Sequence, residues 1–137
     1  MKQYLVFLSL FILLVGCEKN VTSSTYETYE QAQPMIEKGW VPSGLPNEIT
    51  DIVEVHDLDK NIGNGMFKLE QDDILPFIFA LTPVNKEVVL SKEVLVLEGW
   101  DKERVRSQIE AETLTLGDIS GVLYAVDETG LVYYWIH

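Results

Sequence analysis

Gly121-Val122-Leu123-Tyr124-Ala125-Val126 and Leu131-Val132-Tyr133-Tyr134-Trp135-Ile136, joined by Asp127-Glu128-Thr129-Gly130, decide how the chain folds. Two runs of β-branched and aromatic residues around a short turn predict a hairpin, with Gly130 in the left-handed region. Side chains alternate across a strand, so Tyr124 and Val126 should share a face, as should Tyr133 and Trp135. With the segments upstream, this gives an α+β domain: a small antiparallel sheet with one or two helices packed on one side.

Working back from the hairpin, Asp101 to Glu112 reads as a surface helix capped by Asp101, with Val105 and Ile109 as its apolar pair. Glu87 to Leu97 is rich in Val and Leu and reads as one strand or two short ones. Asp72 or Asp73 is expected to cap a helix over 74–81, with Pro76 in its first turn. Ile49 to His56 carries Ile49, Val53 and Val55 at odd positions, the pattern of a strand with one buried face. Asp57 to Gly65 is dense in turn residues and should lead to a second strand, Met66 to Glu70. Trp40-Val41-Pro42-Ser43-Gly44-Leu45-Pro46 must be a rigid loop, because two prolines and a glycine forbid regular structure. A short helix is expected from Thr25 or Thr28, where Thr28 and Gln31 have capping-box spacing. Pro34 should kink it and Gly39 stop it.

The N-terminus carries an address. Lys2 precedes an apolar run from Tyr4 to Val15, and Leu14-Val15-Gly16-Cys17 closes it. The run is shorter than the roughly 20 residues a spanning helix needs, and Glu18 and Lys19 follow at once. This layout resembles the lipobox of bacterial lipoproteins, which implies a diacylglycerol on the Cys17 sulfur and removal of the peptide before it. The expected organisation is a signal peptide at 1–16, a lipidated cysteine and flexible tether at 17–25, and one α+β domain at 26–137. A mature lipoprotein carries two or three acyl chains, palmitate among them, so durable membrane attachment is implied. Glu18, where an Asp would signal retention at the inner membrane, favours the outer membrane, facing the periplasm.

Removing residues 1–16 from the 137 leaves 121, enough for one domain with its own core. The removed stretch holds Lys2 and no acid, so the net charge moves from −12 to −13. Such acidity argues against nucleic acid as a partner and against docking on anionic lipid headgroups. It suits solubility, and it would draw in a basic envelope protein. Cys17 is the only cysteine, so stability must come from packing rather than from a disulfide.

Chemistry is sparse. Asp57, Asp59 and Asn61 alternate oxygen ligands, but Ile62 and Lys68 stand where a calcium-binding EF-hand loop needs Gly and Glu. The plainer reading is a turn in which Asx side chains bond their own backbone. His56, Asp57, Asp59 and Asn61 as a recognition loop is the functional alternative. His56 has only the terminal His137 and no second cysteine for a metal set, so it reads as a hydrogen-bonding residue at a strand end. Ser43 lies in a turn without a nucleophile elbow. No catalytic set, cofactor or metal is expected.

Gly39-Trp40-Val41-Pro42, Leu45-Pro46, Ile52, then His56-Asp57-Leu58-Asp59 with Asn61 resemble the signature of a family of small uncharacterised bacterial lipoproteins. In that family a Gly-Trp-aliphatic-Pro loop leads into Leu-Pro, and a strand then ends in His-Asp-aliphatic-Asp-x-Asn. Ala125-Val126-Asp127 to Val132-Tyr133-Tyr134-Trp135 is similar to its closing hairpin. The resemblance implies the fold unit and no reaction or ligand; the chain from Gln71 to Ser120 departs from it. Physically, Trp40 held by Pro42 and Pro46 suits a plug for one end of a sheet.

The expected function is that of a lipid-anchored, non-enzymatic protein-binding module of the envelope. One sharper version is an inhibitor or immunity protein against a cationic toxin or lysozyme. The other is an accessory subunit of an envelope assembly, using the aromatic hairpin around Tyr134 as an edge for strand addition.

Overall fold

The C-terminal hairpin forms where the sequence places it, but it lies inside the sheet and not at its edge. The structure, a computed structural model, describes residues 20–137. The expected signal peptide, Cys17 and the first residues of the expected tether lie outside the described residues. The elements run β1 (Val21–Thr28), α1 (Gln33–Lys38), β2 (Thr50–Asp57), β3 (Ile62–Lys68), α2 (Gln71–Ala80) and β4 (Thr82–Pro83). Then come α3 (Lys86–Leu90), α4 (Lys102–Glu110), β5 (Thr115–Ile119), β6 (Val122–Val126) and β7 (Leu131–Ile136).

Among the described residues these strands form one seven-stranded sheet in the order β1-β2-β3-β7-β6-β5-β4, antiparallel throughout. It joins two meanders, β1-β2-β3 and β5-β6-β7, through the β3–β7 pair. Gly130 turns the β6–β7 hairpin at φ 94°, and the Asp127 carboxylate accepts from the Thr129 and Leu131 amides. Because β7 has a neighbour on each side and Tyr134 is fully buried, the hairpin offers no free edge. Strand addition through it is therefore excluded; the edges are β1 and the two-residue β4.

The sheet is larger than the small one expected, and helices cover both faces. On the first face Ile52, Phe67, Tyr124 and Tyr134 pack under Ile74 and Phe77 of α2, with Met35 and Ile36 of α1 alongside. On the second, Val55, Met66, Tyr133 and Trp135 pack under Val89 of α3 and Val105 and Ile109 of α4. A strand covered on both sides shows no simple alternation. That is why the odd-position pattern of β2 understates its burial: Ile52, Glu54 and His56 are buried as well.

Other expectations change for local reasons. Val21 to Thr25 are not tether but the start of β1, paired residue by residue with β2 from Val21–Asp57 onward. Its Ser/Thr-rich composition suits a half-exposed edge strand. Thr28 and Gln31 do bond: the Thr28 hydroxyl accepts from the Gln31 amide, and the Gln31 side chain accepts from the Glu27 amide. They shape the turn before α1, which begins only at Gln33, with Pro34 in its first turn. Gly63 and Gly65 belong to β3 rather than to a turn. Pro76 is the sixth residue of α2, not in its first turn, and Glu70 rather than Asp72 or Asp73 stands at the cap, without a side-chain bond. Glu87 to Leu97 is α3 followed by irregular chain, not strand. Packing of Val89 and Leu97 onto the second face outweighs β propensity there.

Candidate functional site

On the first face, Glu54, Gly65 and Tyr134 stand opposite one another in β2, β3 and β7, and His56 stands opposite Gly63. The two glycines matter for what they lack. A Cβ at Gly63 would press on the Trp40 ring at 3.1 Å, and one at Gly65 would collide with the Tyr134 hydroxyl and the Val53 carbonyl. The alternating glycines of β3 thus open two slots, one filled by Trp40 and the other by Tyr134.

Trp40 reaches its slot because Gly39 ends α1 in the left-handed conformation and the Trp40 amide donates back to the Met35 carbonyl. The indole lies flat on the His56 imidazole, 4.5 Å between centroids and 8° between planes. The Trp40 carbonyl accepts from the Tyr134 hydroxyl at 2.9 Å. Pro42 is buried and Pro46 half-buried, which stiffens the loop behind the ring. His56 Nδ1 meets Glu54 Oε2 at 2.8 Å, and Glu54 is 0% exposed with Oε1 lacking a partner among the described residues. A carboxylate taken out of water demands compensation, and His56 is the group placed to give it. Burial pushes the Tyr134 hydroxyl well above its usual value of 10.0, and the neighbouring Glu54 charge adds to the rise.

A buried Glu–His pair could in principle move protons. Here Trp40 covers the imidazole, both partners are buried, and neither lines the grooves beside α2 or those at α3 and α4. The geometry makes this cluster a clamp that fixes the Trp40 loop to the sheet. The Trp40 ring packs over Gly63 and His56 on the first face.

The Asp57–Asn61 segment is a turn. Asp57 Oδ1 accepts from the Asp59 and Lys60 amides at 2.9 and 3.2 Å, an Asx turn. Asn61 supplies left-handed backbone at φ 53°. Asp59 accepts from the Asn20 side chain at 2.9 Å, and Lys60 bridges to Glu93 at 2.6 Å. The four loop residues do not converge. His56 faces inward to Trp40, and among the described residues no cluster of three or more acidic, His or Cys side chains is placed to hold a metal.

Sequence reasoning did not single out Glu54, Asn64 or the two slot glycines. Glu54 was findable, since it is two residues from His56 in a strand and so shares its face. Asn64 was not: its amide bonds both the N–H and the C=O of Leu95, 2.8 and 3.2 Å, standing in for a strand partner far along the chain.

A different surface lies on α2. Leu75 and Phe79, one helical turn apart, are 62% and 81% exposed. Beside them runs a groove of about 720 Å³ whose charged lining is Asp72, Asp127 and Glu128, with no Lys or Arg. A second groove of about 360 Å³ separates the other flank of α2 from Ser43–Pro46.

The chain is similar to a known family over one part of its length. A family model described as the YbbD head domain matches residues 20–68, which hold β1, α1, the Trp40 loop, β2 and β3. The matched stretch holds every member of the clamp except Tyr134. No curated protein and no solved structure matches the chain.

Proposed function

We propose that the protein is a non-enzymatic binding module, held at the outer membrane by lipid on Cys17, that captures a cationic envelope protein through α2. The observation that carries this reading is the exposed Leu75–Phe79 stripe beside a groove lined by Asp72, Asp127 and Glu128. A large apolar side chain left in water is a usual anchor for a partner. An acidic rim with no local cation selects a basic one and speeds its arrival. A toxin or lysozyme of high positive charge has that chemistry, which supports an inhibitor or immunity role.

The test uses lysozyme as a cationic probe and the full lipidated protein in detergent. Binding should be measurable at low salt, weaken as salt rises, and be lost in Phe79→Asp and in Leu75→Asp. No binding at low salt, or binding unchanged in both variants, would reject the reading. In cells, Cys17→Ser should move the protein from the membrane to the soluble fraction.

A second reading, an accessory subunit of an envelope assembly, is favoured by β1, which pairs on one side only. It requires β1 amides to gain exchange protection when the native complex forms.

A further inference from the structure

The end of the sheet where β1 begins is built differently from the end that carries the acidic groove. Asn20 is fastened to the β2–β3 turn: its carbonyl accepts from the Leu58 amide at 3.0 Å and its side chain donates to Asp59 at 2.9 Å. Val21 stands opposite Asp57, one residue from Leu58. Val21 is 40% exposed and Leu58 58%, so two apolar side chains project from this one end. The segment carrying the almost fully exposed Val96 is pinned to the same end, by the Lys60–Glu93 bridge and by the Asn64 bonds to Leu95.

From these positions we infer that the β2–β3 turn rests on the membrane interface, with Leu58 and Val21 entering the headgroup layer of a zwitterionic bilayer. The inference rests on lipidation at Cys17, as proposed above. Only Glu18 and Lys19 separate Cys17 from Asn20. Three residue steps span at most about 11 Å of fully extended chain. A cysteine whose sulfur carries acyl chains sits at the headgroup boundary, so Asn20, and the turn fastened to it, stay within about 11 Å of that boundary. From Asn20 on, the segment expected to be a flexible tether is fastened to the turn and to β2.

Charge selects the lipid. The turn carries Asp57 and Asp59, and its one cation, Lys60, is already paired with Glu93. An anionic headgroup would be repelled, whereas a zwitterionic one accepts apolar tips without that cost. This fastening also fixes what faces away. The β6–β7 turn and the start of α2 lie at the opposite end of β3, since Lys68 pairs with Leu131. The acidic groove is therefore presented to the periplasmic side, and the Asp57–Asn61 turn is not a partner-recognition loop.

The experiment places a single new cysteine in the full lipidated chain and labels it with an environment-sensitive maleimide dye. The protein is reconstituted in phosphatidylcholine/phosphatidylethanolamine vesicles, with nitroxide-bearing lipid as quencher. Leu58→Cys should give blue-shifted emission that the lipid nitroxide quenches, and Phe79→Cys should give neither. Inserting ten Gly/Ser residues between Lys19 and Asn20 should reduce the quenching at position 58. Emission at 58 that matches water and resists quenching in membrane-bound protein would overturn the inference. Failure of the anchoring premise reads differently: the chain without an added cysteine would take up one dye at Cys17, where a lipidated chain takes up none.

Discussion

Both faces of the sheet carry a buried apolar cluster, and the two are made by opposite means. The first is fitted piece to piece: glycines at 63 and 65, Trp40 and Tyr134 in the slots, and Glu54 paired with His56 beneath. The second is filled by bulk. Trp100 meets Tyr133 and Trp135 edge-on at 5.0 and 5.2 Å, and aliphatic residues of α3 and α4 close over them. A fitted face should fail by collision or by orphaning a polar group. A bulk-filled face should fail by loss of volume.

The largest effect is therefore expected from Trp100→Ala, which empties the centre of the second face and should cost about 3–5 kcal/mol in urea unfolding. Trp40→Ala should cost less, because its ring is only half-buried. A larger loss at Trp40 than at Trp100 would break the distinction between the faces.

Gly65→Ala adds one methyl group and should still cost about 3 kcal/mol, the upper part of the range for overpacking. The obstacle includes the Val53 backbone carbonyl as well as the Tyr134 hydroxyl. Gly63→Ala should cost less, since its nearest neighbours stand at 3.1 Å. Combining Gly65→Ala with Tyr134→Phe gives a double-mutant cycle. Part of the Gly65→Ala loss should be recovered, because the hydroxyl oxygen has gone while the ring carbon behind it and the Val53 carbonyl still meet the added methyl group. Strict additivity would place the strain elsewhere.

Alkali should sharpen the comparison. Burial raises the hydroxyls of Tyr124 and Tyr134 on the first face far above the usual 10.0. Tyr133 on the second is also raised by burial, with Arg104 pulling the other way. The unfolded chain ionises first, so stability from these groups is whole below pH 10 and falls as pH rises beyond it. Tyr134→Phe should flatten that fall more than Tyr133→Phe does, in unfolding followed from pH 9 to pH 11.

The same division explains how much was legible beforehand. The hairpin, α4 and the Trp40 loop each declare themselves within a few residues, through alternation, a cap or paired prolines. Glu87 to Leu97 does not, because its valines answer to Trp100 and Asn64, and no local period records such partners. Gly63 and Gly65 read as turn residues for a related reason: their meaning lies in side chains arriving from Trp40 and Tyr134. The candidate site was half visible. Trp40 and His56 stood out, whereas Glu54 looked like one acid among 22, and nothing local marked Leu75 and Phe79 as the outward side of the helix expected over 74–81.

Helix caps provide the smallest and most discriminating contrast. Asp101 at the start of α4 accepts a hydrogen bond from the Arg104 amide at 3.1 Å, so Asp101→Ala should cost about 1 kcal/mol in thermal or urea unfolding. Asp72 and Asp73 look equally suitable in sequence, yet they lie inside the first turn of α2 and make no cap bond. Their favourable effect is limited to the helix dipole, a few tenths of a kcal/mol at an exposed end. Asp72→Ala should thus leave stability nearly unchanged while weakening capture of a cationic partner, because Asp72 lines the acidic groove. Asp101→Ala should do the reverse. If both substitutions moved stability alike, α2 would be held by its acids as α4 is. It would then lack the freedom to carry acidic side chains for binding rather than for folding.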